Sequence, residues 1–317
     1  MSESPLPPHE NESPKATTKA DYPFDGADMG IVDVILLTSD GVQFYANKAL
    51  LSLVSPVFMT MFTLPQGQEE RKRKGDTPCI SVEDESHALF HLLSWCDPRG
   101  VPSMSLNAVQ MALTFADKYG MESIMRRIGR TLENSDEIAK QNCFEWYAIA
   151  IRYNFPGFAK LAARKSLAFP VEEMASFTWL NDIPTMALKN LYDYHFSCRR
   201  VIQAFLGHPT IWRGRNKNSD ELHWAPFLRY CSVCFERGRY GFSTPWFIDY
   251  MDQLGRVTSQ TPVGEKAVDR ELITLTMERA NRCNSTDCRA LQSGILPFAE
   301  KLCQQINEET AKISLQI

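Results

Sequence analysis

"DVILLTSDGVQFYANKALLSLVSPVFMTMF", residues 33 to 62, changes period partway along its length, and that change decides how the chain folds. Val32 to Thr38 is rich in β-branched and aliphatic residues and ends at Ser39-Asp40-Gly41; Val42 to Tyr45 then resumes the extended pattern. This predicts a hairpin, because Ser, Asp and Gly together favour a tight reversal. From Asn47 onward the spacing lengthens: Leu50, Leu53, Val54, Val57, Phe58 and Met61 recur at helical intervals. Ser55-Pro56 interrupts them with an N-cap and a proline at the first helical position, so two short helices are expected.

Working outward, "CISVED" at 79 to 84 alternates like a third strand, after a charged loop at 64 to 78. "SHALFHLLSWC" places Leu89, Leu92, Leu93 and Cys96 on one helical face, with Ser86 as its expected cap. Leu106, Val109, Leu113 and Ala116 predict a further helix ending at Gly120, and Met121, Ile124, Met125, Ile128 and Leu132 another. The region is therefore read as α+β, a small sheet enclosed by about five helices. Residues 1–23 are rich in Pro, Ser and Glu and poor in large apolar groups, which predicts a disordered tail.

The order of these elements is similar to that of a BTB/POZ domain. The stretch from Asp33 to Phe62 carries the resemblance: a strand, an acidic turn, Phe44 followed by Asn47-Lys48, a Leu-rich helix, then Ser55-x-x-Phe58. It departs in two places, with Asn47 where the family usually has His and "SWCDPRG" at 94 to 100 in place of a Tyr-containing strand. It covers residues 24–135, and "FTLPQ" at 62 to 66 resembles the version abundant in fungi. The resemblance implies a non-enzymatic protein–protein interaction role and a homodimer. Leu50, Leu53 and Val54 would then lie on the helix that packs against a second copy. Asp33 and Lys48 would be the acid and base near the dimer groove, or an ordinary structural ion pair. It also implies two uses: substrate adaptor on a cullin-type ubiquitin-ligase scaffold, or component of a regulatory complex. The family's cullin-binding signal would fall near Phe62 to Glu70, where Gly67-Gln68-Glu69 supplies a Glu without a clear apolar partner.

Beyond the domain, residues 136–198 read as a helical extension, with Phe144, Trp146, Ile149, Phe155 and Phe158 at helical spacing. Residues 199–317 read as a Cys-bearing, mainly helical module: weak periodicity to 260, then helices at Ala267 to Arg282 and Pro297 to Ile313. Lys+Arg 34 against Asp+Glu 38 gives a net charge of −4, so no chain-wide attraction to nucleic acid or to anionic membranes is expected. The N-terminus lacks the apolar core of a secretory signal, and no long apolar run follows, so a cytoplasmic or nuclear setting is expected. No phosphate-binding, dinucleotide, metalloprotease or nucleophile-elbow motif occurs, and no catalytic residue is assigned.

Nine cysteines in a reducing compartment are free thiols or metal ligands. "CSVC", Cys231 and Cys234, and "CNSTDC", Cys283 and Cys288, are expected to form one structural zinc site of four thiolates. His195, Cys198, His208 and His223 are the substitute ligands. Two other readings stay open: buried free cysteines behaving as small hydrophobes, or a dithiol oxidoreductase or other enzyme built on Cys231 and Cys234. The last needs a thiol at a helix N-terminus in a βαβ setting.

Overall fold

A computed structural model of the chain describes residues 17–27, 32–64, 77–98, 100–135, 137–176, 183–207, 231, 233–234, 236–238 and 241–317. The chain divides into two compact units, Met1–Ile138 and Ala139–Ile317.

In the first unit the hairpin forms as its sequence dictates. β2 (Val34–Leu37) and β3 (Val42–Ala46) pair antiparallel across a turn that Gly41 permits by adopting φ +87°. β4 (Cys79–Ser81) joins β2 in parallel. Val34, Ile35 and Leu36 are all buried, which explains why this central strand reads as an unbroken apolar run rather than an alternating one.

Composition misjudged the segment before Tyr22. β1 (Thr18–Lys19) pairs in parallel with β3, so the sheet order is β1-β3-β2-β4 and part of the expected tail is a strand. The bonds are main-chain ones, Thr18 N to Gly41 O at 3.1 Å and Ala20 N to Gln43 O at 2.9 Å. Backbone pairing needs no apolar side chain, which is why a hydrophobicity argument does not see it. Phe24 then enters the core against Phe44 and Phe90. Residues 1–16 lie outside the described residues.

α1 (Lys48–Val54) is capped by Asn47, whose Oδ1 accepts from Leu50 N at 2.9 Å. α2 (Pro56–Thr63) is capped by Ser55, whose Oγ accepts from Phe58 N at 3.0 Å and donates to Tyr119 O at 2.6 Å. One hydroxyl therefore both starts α2 and ties it to the end of α4 (Leu106–Lys118). Ser86 does not cap α3 (Ser86–Cys96); it is the helix's first residue. The cap comes from the hairpin turn instead, where the Asp40 carboxylate accepts from Ser86 N at 3.0 Å and from Ser86 Oγ at 2.6 Å. Those bonds hold the Asp40 carboxyl below its usual range. α5 (Glu122–Glu133) follows Gly120, at φ +64°. Phe58 stacks on Tyr119 at 4.5 Å, and the buried Asp84 accepts from the Tyr119 hydroxyl and pairs with Lys118.

The second unit contains α6 (Cys143–Arg152), α7 (Pro156–Ser166), a 3₁₀ turn at Val171–Ser176 and α8 (Thr185–Gly207), which runs past the expected limit at 198. A small hairpin of β5 (Glu236–Gly238) and β6 (Gly241–Ser243) leads into α9 (Pro245–Thr258). The weakly periodic stretch thus holds a full helix. Trp246, Phe247, Tyr250, Met251 and Leu254 are its buried stripe, at spacings that fit a helix once the aromatic residues count as apolar. The helix expected at Ala267 to Arg282 splits at Asp269 into a 3₁₀ turn (Gly264–Val268) and α10 (Arg270–Asn281). Asp269 Oδ1 accepts from Glu271 N and Leu272 N, capping α10 and so ending the turn before it. α11 (Thr286–Gln292) and α12 (Ile295–Ala311) complete the unit, with Phe298 edge-on to Phe247 at 5.3 Å. None of the described helices is long and apolar enough to cross a membrane.

Candidate functional site

Cys231 and Cys234 flank a turn just before β5; Cys283 follows α10, and Cys288 sits in the first turns of α11. Their four sulfur atoms all lie within 4.8 Å of one another. Cys231 Sγ is 3.7 Å from Cys283 Sγ, and Cys234 Sγ is 3.4 Å from Cys288 Sγ. Four thiolates around one zinc ion at about 2.3 Å stand about 3.8 Å apart at the edges of a tetrahedron, so the cluster is compatible with that ion.

The surroundings favour negative charge on one of the four sulfurs, that of Cys231. Burial alone raises the Cys231 pKa, but hydrogen bonds from the Ser285 hydroxyl and from the backbone N–H groups of Val233 and Cys234 bring it down to about 6. Burial pushes the Cys234 thiol up, as do its contacts with the other thiols. It takes Cys288 up to about 11, opposed by the hydrogen bond from Trp246. Trp246 Nε1 donates to Cys288 Sγ at 3.4 Å. Ser285 also caps α11, accepting from Asp287 N at 3.1 Å, so one side chain orients both the helix and a thiol. Sequence reasoning overlooked Trp246 and Ser285 as site residues. The signal was available: a Trp opening the helix beyond one Cys pair, and a Ser between the two members of the other.

Two of the substitute ligands, His195 and Cys198, stand apart from this cluster. His195 bonds through Nε2 to Ser166 Oγ at 2.8 Å, and Cys198 is buried on the same helix; neither belongs to the four-sulfur group. His208 and His223 lie outside the described residues. The oxidoreductase alternative finds no support: the Cys231–Cys234 turn leads into a strand rather than the first turn of a helix.

In the first unit, Asp33 and Lys48 are brought together, though through the main chain: Asp33 Oδ1 accepts from Lys48 N at 2.6 Å, at the start of α1. A carboxylate there satisfies an orphan N–H and complements the helix dipole. No side-chain ion pair joins the two among the described residues. On α1, Leu51 faces the core, Leu50 and Val54 are half-buried, and Leu53 is 83% exposed. Met59 on α2 is 50% exposed and Leu64, just beyond that helix, 58%.

Residues 28–136 match the family model of the BTB/POZ domain, and this segment of the chain is such a domain. The BTB and MATH domain-containing protein 38 of Caenorhabditis elegans is 30% identical over 125 residues, which is 39% of this chain and 30% of that protein. The similarity thus spans less than a third of the relative's length. A BTB domain is a protein–protein interaction module.

Proposed function

We propose, from the BTB/POZ domain at residues 28–136, that the chain is a non-enzymatic interaction protein that self-associates through this domain and presents its second unit to protein partners. The observation that carries the reading is Leu53, 83% exposed on α1, together with the exposed Met59 on α2 and Leu64 just beyond it. Aliphatic surface of this kind on so small a unit calls for a partner, and a second copy is the partner that the domain type supplies. Leu50 and Val54 would form the margins of the contact, while Asp33 and Lys48 fix the direction of α1.

Light scattering on the full chain tests the reading. The expected result is a dimer that Leu53→Glu converts to monomer, or weakens at least about tenfold, corresponding to about 1.4 kcal/mol, while leaving the monomer fold intact. A wild-type chain that stays monomeric at high micromolar concentration overturns it. Docking on a cullin-type scaffold is the less favoured use, because Gly67-Gln68-Glu69 in the stretch from Phe62 to Glu70 supplies a Glu without a clear apolar partner. Nine free cysteines suit the reducing cytoplasm or nucleus as the place of action.

The second unit is proposed to hold one structural zinc ion through Cys231, Cys234, Cys283 and Cys288. The metal would fasten the turn before β5 to the junction of α10 and α11. Metal analysis of protein purified without added zinc should find one equivalent, and Cys231→Ser or Cys283→Ser should each abolish it. A metal-free wild-type protein leaves the four thiols as parts of the core.

A further inference from the structure

The four thiols differ in access to solvent. Cys231 and Cys288 are completely buried, whereas Cys234 and Cys283 are half-buried and Val233, at the turn, is 69% exposed. All four sulfurs interact, and two of the contacts with hydrogen-bond distance and direction each join one thiol of either kind: Cys283 to Cys231 at 3.7 Å, and Cys234 to Cys288 at 3.4 Å. Both run between chain segments, from the turn before β5 to the α10–α11 junction. Each half-buried cysteine therefore has a fully buried one as its partner, the arrangement of an attacking thiol with its resolving partner.

Resting on the zinc reading above, the geometry points to a peroxide-sensitive modification site, in which hydrogen peroxide converts the tetrathiolate to the disulfides Cys231–Cys283 and Cys234–Cys288 and releases the ion. The half-buried thiolate attacks one peroxide oxygen. The O–O bond breaks, a sulfenic acid forms, and the other oxygen leaves as hydroxide and is protonated to water. The buried thiolate then attacks the sulfenic sulfur and expels a second hydroxide, which also becomes water. Each disulfide takes two electrons from sulfur and consumes one peroxide. A complete site uses two peroxides and four protons, and yields four waters and one Zn²⁺.

The pairing has a structural consequence. Disulfides within Cys231–Cys234 and Cys283–Cys288 would let the turn part from the helices as the metal leaves. The cross-segment pairs replace one tether by another, so the oxidised unit keeps its fold and the reaction reverses on reduction. Bonding requires each pair of sulfurs to close to about 2.05 Å, a movement of one to two ångströms for contacts already this short.

The test uses the wild-type full chain, purified reduced with its zinc content measured, then titrated with hydrogen peroxide. A chelating dye reports released metal, and peptide mapping without reductant identifies the disulfides. The expected result is one zinc released per two peroxides, the two cross-segment disulfides, and zinc rebinding after reduction. Mapping to Cys231–Cys234 and Cys283–Cys288, overoxidation without disulfides, or zinc retained at peroxide levels that oxidise other thiols in the chain each overturns the proposal. If the reduced protein carries no zinc, the metal reading fails; mapping of the metal-free thiols still decides the pairing.

Discussion

His195 is completely buried in α8, and its two ring nitrogens have different surroundings. Ser166 Oγ donates to Ala163 O at 2.7 Å, so its hydrogen is committed; His195 Nε2 must then carry a proton and donate to Ser166 Oγ at 2.8 Å. Nδ1 is left as a buried acceptor without a hydrogen-bond partner among the described residues. Protonating it would place a charge in a dry site beside Arg199. Burial first, and then that neighbouring cation, lower the His195 pKa to about 4. In an unfolded chain the ring titrates near ~6.5. Between those values the unfolded state binds the extra proton, so the stability due to neutral His195 is complete above about pH 6.5 and declines as pH falls toward 4. Over that window the loss is about 3 kcal/mol. Urea denaturation across the range should show the decline, and His195→Gln should flatten it while lowering stability at neutral pH. Equal slopes for the two proteins would remove His195 as the cause. Nothing in the sequence distinguished this histidine from a substitute zinc ligand, because its role depends on Ser166, a residue on a different helix. Asn47 was read only as a departure from the family's His, and its role as the cap of α1 appears in the structure, where the Asp33 contact to the next residue's N–H also requires the folded hairpin.

Strands were legible where side chains carry the signal and invisible where the backbone does. β2, β3 and β4 announce themselves by β-branched residues and a turn, whereas β1 is two residues of Thr and Lys in polar surroundings. Its contribution is two hydrogen bonds and the burial of Ala20. At about 0.5–1.5 kcal/mol per net hydrogen bond, removing it should cost about 1–3 kcal/mol. A chain lacking residues 1–16 is expected to melt with the full-length protein, and one lacking residues 1–20 lower by about 4–8 °C for each kcal/mol lost. Coincident melting of all three would mean that β1 adds nothing measurable. The helices follow the same logic. α1, α2, α4 and α5 stand out by periodic Leu, Val and Ile, while the stripe of α9 is largely Trp, Phe and Tyr and was diluted by the Cys- and Gly-rich sequence before it. The zinc-ligand set could be proposed from spacing alone; its cross-segment contacts could not, because α10 has to fold before Cys283 and Cys288 meet the first pair.

At the scale of the whole molecule, the chain joins two units whose stabilising interactions differ in kind. The first is held by a sheet, three helix caps that reach across elements, and the buried Asp84 cluster. The second is a helical core with a sulfur cluster at the junction of distant segments. That cluster has a mechanical meaning. Its contacts connect positions 52 and 54 residues apart in sequence, so a metal ion there would close the chain into a ring. When the two termini are pulled apart, tension would pass through the ion and leave the enclosed α9 and α10 unstretched. Opening the ring releases roughly 50 residues at about 3.5 Å each, about 17 nm of hidden contour length. In an optical trap the zinc-loaded protein should show a final extension step of that size, and a chelator should merge it into the preceding unfolding event. A wild-type trace in which zinc and chelator give the same contour steps would mean that no ring is closed.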